Sequence, residues 1–65
     1  ADAVVKTPDQ IYVFEFKLNG TAEQALQQID DRGYLIPYLA DGREIVKVGV
    51  EFSAETRNIS RWLVE

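Results

Sequence analysis

Apolar and polar positions alternate along most of this chain, and one stretch of helical spacing interrupts the alternation. Ala1 to Lys6 reads as a short strand. Thr7-Pro8-Asp9-Gln10 reads as a turn, with proline and aspartate where a chain reversal favours them. Ile11 to Leu18 is a second strand, rich in aromatic and β-branched residues. Its side chains alternate, with Ile11, Val13, Glu15 and Lys17 on one side and Tyr12, Phe14, Phe16 and Leu18 on the other. Asn19-Gly20 ends this strand and a helix follows. Thr21 fits the N-cap, and Gln24 three residues on completes a capping box. Ala22, Ala25, Leu26 and Ile29 then fall on one helical face, and Gly33 suits the left-handed position that closes a helix.

Tyr34 to Leu39 is apolar but contains Pro37, which predicts a loop or a second short turn of helix. Asp41-Gly42 is a turn. Glu44 to Phe52 is a third strand, with Val46, Val48, Val50 and Phe52 on one face and Lys47 and Glu51 on the other. Ser53 to Asn58 reads as a loop and Ile59 to Val64 as the last strand. The second and third strands flank a helix, so they should be parallel with a right-handed crossover. The outer two should be antiparallel hairpin partners. The expected fold is α/β, a mixed four-stranded sheet in sequential order (β-β-α-β-β) with one main helix. Tyr12, Phe14, Phe16 and Trp62 are expected in its core.

A chain of 65 residues holds one domain at most, and a domain of that size buries only about 60% of its unfolded surface. There is no cysteine and no histidine, which excludes disulfides, the usual zinc sites, a histidine base and a cysteine nucleophile. Any metal must be a hard cation held by carboxylates, such as Mg²⁺ or Mn²⁺. The net charge is −4, from 11 acidic and 7 basic residues. That argues against nucleic-acid binding by bulk electrostatics, although bound cations cancel acidic charge where a phosphate sits. No apolar run approaches the ~20 residues of a membrane span, and no secretory leader is visible. A cytoplasmic location without membrane contact is therefore expected. The chain opens inside a strand, so it reads as part of a longer protein.

The second strand carries the candidate chemistry. Glu15 and Lys17 lie two residues apart on one face of an otherwise apolar strand, where charge is tolerated poorly unless it is paired or binds a ligand. With Pro8-Asp9 at the hairpin tip, Thr7 faces Gln10, Lys6 faces Ile11, and Asp2 falls opposite Glu15. Directly opposed residues have Cβ atoms ~5 Å apart, so the two carboxylates repel and a divalent cation between them relieves the repulsion. Lys17 then lies one pleat away, within reach of a phosphate oxygen or an attacking water. A bulge at the turn would shift the register and spoil this geometry. The alternation alone equally fits Glu15 and Lys17 as a solvent-facing pair, and Asp2 as part of a loose terminus.

An acid, a hairpin turn, Glu-x-Lys on an apolar strand and then a helix together resemble the PD-(D/E)XK nuclease superfamily. Thr7-Pro8-Asp9-Gln10-Ile11-Tyr12-Val13-Phe14-Glu15-Phe16-Lys17 is similar to the nuclease-superfamily domain at the C-terminus of many bacterial AAA-ATPase-like proteins. The similarity continues through Ala22 to Tyr34, Ala40-Asp41-Gly42-Arg43 and the final strand. The resemblance implies that residues 1–65 are the C-terminal part of such a domain, a partial restriction-endonuclease-like core. It implies Asp2 and Glu15 as Mg²⁺ (or Mn²⁺) ligands, the backbone carbonyl of Phe16 as a further ligand, Lys17 as the catalytic lysine and Gln28 as a helix residue near the site.

The implied function is metal-dependent hydrolysis of nucleic-acid phosphodiesters, DNA before RNA, weak or absent in this piece alone. The alternative is a non-catalytic interaction or regulatory module on the same scaffold, attached to an ATPase-like domain. The family core begins with a helix and a strand that this chain lacks. The first strand is thus an uncovered edge and one sheet face lacks a helix, which predicts a homo-oligomer, by edge pairing in the first instance.

Overall fold

The computed structural model describes all 65 residues. The elements are β1 (Ala3–Lys6), β2 (Gln10–Leu18), α1 (Ala22–Asp31), a 3-10 turn (Ile36–Tyr38), β3 (Glu44–Ser53) and β4 (Asn58–Val64). They form one four-stranded sheet in the order β1-β2-β3-β4. The outer pairs are antiparallel and β2–β3 is parallel, as a helical crossover requires. This is the expected mixed α/β architecture. Strand ends differ from the sequence reading by one or two residues, within the usual fraying of element boundaries.

Local chemistry fixes the helix at both ends. Thr21 accepts a hydrogen bond from the Gln24 backbone N–H at 3.0 Å, and Gln24 Oε1 accepts from Thr21 N–H at 3.0 Å, closing the capping box. At the other end Gly33 takes φ +65. There Tyr34 N–H donates to Ile29 O and Gly33 N–H to Asp30 O, both at 3.1 Å, the paired bonds of a Schellman closure. Pro37 permits only the short 3-10 turn in the Tyr34–Leu39 stretch.

Helix α1 lies on one face of the sheet. Ile11, Val13, Leu26 and Ile29 form the buried cluster, with Tyr34, Leu35, Tyr38, Ile45 and Leu63 packed around it. The helix approaches β3 closely at Gly49, where an added Cβ would fall 2.4 Å from the Ala22 carbonyl oxygen. The absence of a side chain at that position lets the helix sit down on the strand.

The aromatic face turns out to be the open one. Register pairs Phe14 with Val48 and Phe16 with Val50, and on the far side Val48 with Val64 and Val50 with Trp62. All these side chains point away from α1. Tyr12, Phe14 and Phe16 stack in a ladder with 6.5 Å between successive ring centroids. Val48 and Val50 are buried between their neighbours, but Phe16 is 45% exposed and Trp62 64% exposed. The expectation that Tyr12, Phe14, Phe16 and Trp62 form the core is therefore corrected. Tyr12 and Phe14 are half-buried and the other two are exposed. Alternation separates two faces, but the helix covers only the one that carries Ile11, Val13 and Glu15.

Candidate functional site

The Thr7–Gln10 turn determines what meets at the other end of the hairpin. Gln10 N–H donates to Thr7 Oγ1 at 2.9 Å and Thr7 N–H donates to the Gln10 carbonyl at 2.8 Å, so the reversal is tight and carries no bulge. Lys6 then pairs with Ile11 and Ala3 with Phe14. The ladder ends at that pair, and Asp2, one residue beyond it, brings its carboxylate beside Glu15. Asp2 N–H donates to the Phe14 carbonyl at 3.0 Å, and Asp2 Oδ2 accepts from the Phe16 N–H at 2.7 Å. Asp2 is exposed, yet both its backbone and its carboxylate are tied to β2. In a strand the N–H and C=O of one residue leave the same edge, so the Phe16 carbonyl also leaves β2 on the side where Asp2 sits.

Glu15 is the buried charge of the molecule, 3% exposed on the face covered by α1. Burial raises the pKa of its carboxyl above the ordinary range. The adjacent Asp2 charge and a hydrogen bond shared with Asp2 push the same way, while the terminal ammonium and Lys17 oppose them. Gln28 reaches down from the second turn of α1. Its Nε2 donates to Glu15 Oε2, and its Oε1 accepts from Lys17 Nζ. The amide therefore links the acid to the lysine, and no buried side-chain polar atom is left without a partner. Of the residues singled out from sequence, Asp2, Glu15, Phe16, Lys17 and Gln28 come together at one end of the β1–β2 hairpin.

The donor set is all oxygen: two carboxylates and one backbone carbonyl. No group of three acidic, histidine or cysteine side chains gathers anywhere in the molecule. Two carboxylates with room for water match the habit of Mg²⁺ and Mn²⁺ rather than a fully caged cation. A cation there would offset the like charge of Asp2 that, after burial, raises the pKa of Glu15. By donor chemistry and charge, these residues fit a hard divalent ion.

The sequence reading missed the surface beside the site. Lys17, Gln24, Gln27, Gln28, Asp31 and Arg32 line an open recess with no hydrophobic residue. The signal was in the sequence, since Gln24, Gln28 and Arg32 recur at four-residue spacing and so share one helix face.

Comparison with known families gives a match over residues 1–62 to a family model described as PD-(D/E)XK nuclease superfamily. A curated relative, named "Uncharacterized protein in vnfD 5'region" from Azotobacter chroococcum mcd 1, is 42% identical over 66 aligned positions. The alignment covers 98% of this chain and 13% of that relative, so the chain spans a small part of the relative's length. No solved structure matches.

Proposed function

We propose, because the chain belongs to the PD-(D/E)XK nuclease superfamily, that its acid–lysine site serves metal-dependent hydrolysis of nucleic-acid phosphodiesters, with DNA favoured over RNA. The observation that carries this reading is the Asp2–Glu15–Lys17–Gln28 constellation, in which a buried carboxylate faces a second carboxylate and is linked by an amide to a lysine. Asp2, Glu15 and the Phe16 carbonyl hold Mg²⁺ or Mn²⁺. When bound, the cation supplies Lewis acidity and neutralises phosphate charge. Lys17 Nζ donates to the attacking water or to a phosphoryl oxygen and stabilises the charge that develops there. Gln28 acts as a positioning residue, holding the Lys17 ammonium and the Glu15 carboxylate in a fixed relation.

Residues 1–65 are, in this reading, the C-terminal part of a nuclease-like domain in a longer bacterial cytoplasmic protein that also carries an ATPase-like domain. The small share of the relative's length that is covered supports a longer polypeptide. A second reading rests on the open apolar face. The same scaffold serves as a non-catalytic interaction module, and this chain self-associates through its edge strand or its open face.

Titration with Mn²⁺ followed by NMR line broadening tests the site without requiring turnover. Broadening centred on Asp2, Glu15 and Lys17 that disappears in Glu15→Ala is the expected result. It is accompanied by Mg²⁺-dependent cleavage in the parent protein that the same substitution abolishes. Uniform or absent broadening in the wild type overturns the metal site and leaves the interaction module as the better reading.

A further inference from the structure

We infer that the recess between Lys17 and Arg32 is the track for the sugar–phosphate backbone of the substrate strand, with Arg32 as a phosphate-binding residue outside the reacting centre. The inference rests on the proposed nuclease reading and extends it to the mode of substrate recognition.

The cations of the chain are mostly committed. Arg43 pairs with Asp41 at 2.6 Å, and Lys47 with Asp30 at 3.1 Å and Glu65 at 3.2 Å. Arg61 pairs with Glu23 at 2.6 Å and Glu51 at 3.0 Å. Lys6 lies over the Tyr38 ring, 5.4 Å from its centre. Lys17 is held by Gln28. Two arginines remain without a side-chain partner, Arg32 and Arg57. Arg57 sits in the β3–β4 turn, whereas Arg32 lines the recess that also holds Lys17 and Gln28.

Arg32 follows Gln28 by four residues, one turn and about 6 Å along the helix axis. The acidic neighbour in the recess, Asp31, is itself engaged by Gln27 Nε2 at 2.8 Å. An uncommitted guanidinium one helical turn from Gln28, the amide that holds Lys17, suits a second phosphate of a strand whose scissile phosphate lies at Lys17. The recess is lined by charged and amide residues with no aromatic ring, so it lacks the platform on which single-strand binders stack successive bases. The contact is therefore to the backbone and is independent of base sequence.

Fluorescence anisotropy with short labelled single-stranded DNA in two unrelated sequences, with Ca²⁺ as the cation and across a salt series, tests this. Arg32→Ala is compared with Arg57→Ala, which removes the same charge away from the recess. Arg32→Ala is expected to weaken both sequences equally and several-fold. It should also lower the slope of log affinity against log salt by about 0.7, the share of one phosphate contact on a single strand. Arg57→Ala should leave the slope unchanged. Equal slopes for Arg32→Ala and wild type, an equal loss in Arg57→Ala, a loss confined to one sequence, or no DNA binding by the wild type would each overturn the inference. Mn²⁺ broadening at Glu15 is recorded on the same samples. Its persistence in Arg32→Ala shows that the fold and the metal site are intact. Its absence in the wild type marks failure of the site reading instead.

Discussion

Glu15 concentrates the conflict between folding and chemistry in one side chain. Its carboxyl is buried beside Asp2, and burial and like charge raise its pKa above the ordinary value of 4.5. A carboxyl raised in the folded state stabilises the fold below its unfolded pKa, and that contribution is lost as pH rises through the folded pKa. Glu15→Gln removes the titration while keeping the shape and an acceptor for the Gln28 amide. At neutral pH the variant should be more stable than the cation-free wild type by an amount on the order of 1 kcal/mol. Well below pH 4.5, where Glu15 is protonated in both states, the two should converge. Urea unfolding across pH measures the difference, and a gap independent of pH would show that Glu15 is not the titrating group. The nearness of Asp2 to Glu15 was legible from residues alone, because a two-residue hairpin tip sets the Ala3–Lys6 register on β2 and so brings the start of the chain to the Glu15 end of the strand. The lysine–amide–acid link was not legible in the same way. It needs the distance between Gln28 and the β2 surface, which depends on how deeply the helix seats.

That seating is decided between elements, at Gly49. An alanine there would place its Cβ 2.4 Å from the Ala22 carbonyl oxygen, 3.0 Å from Leu26 Cγ and 3.1 Å from Ala25 Cβ. Backbone cannot give way as a flexible side chain can, so the helix must lift or tilt. Gly49→Ala should cost about 1–3 kcal/mol, the usual scale of overpacking, read from denaturant midpoints. It should also weaken Mn²⁺ binding, because Gly49 lies opposite Glu15 on the neighbouring strand and Gln28 rides on the displaced helix. Loss of stability with unchanged Mn²⁺ affinity would separate helix seating from the metal site. The helix itself was fully announced by its capping box and its glycine stop, signals that act over three or four residues. The cover of the sheet was not. Alternation in β2 and β3 makes one face wholly apolar and leaves the other with Glu15, Lys17, Lys47 and Glu51, yet α1 takes the charged face, which the pattern of neither strand announces. The buried glutamate argued for neither face until the helix amide was seen to satisfy it.

At the scale of the whole molecule, one helix cannot cover both faces of a four-stranded sheet. The uncovered face carries Phe16, Leu18, Phe52, Ile59, Trp62 and Val64, all more than a third exposed. Together with Val5 they present a broad apolar surface of the kind that marks an interaction site. Two copies meeting through this face would remove these side chains from water on both sides. A chain of 65 residues with no disulfide gains relatively more from such burial than a larger domain does. Edge pairing through β1 competes with it, since Val4 and Val5 are exposed along that strand. The face offers side-chain burial and the edge offers backbone hydrogen bonds, so one pair of substitutions distinguishes them. Sedimentation velocity over a concentration series should show the wild type above the monomer mass, and Leu18→Glu with Trp62→Glu should return it to the monomer. A dimer that survives both glutamates pairs through β1, while a wild type that stays monomeric at high concentration excludes self-association by either route.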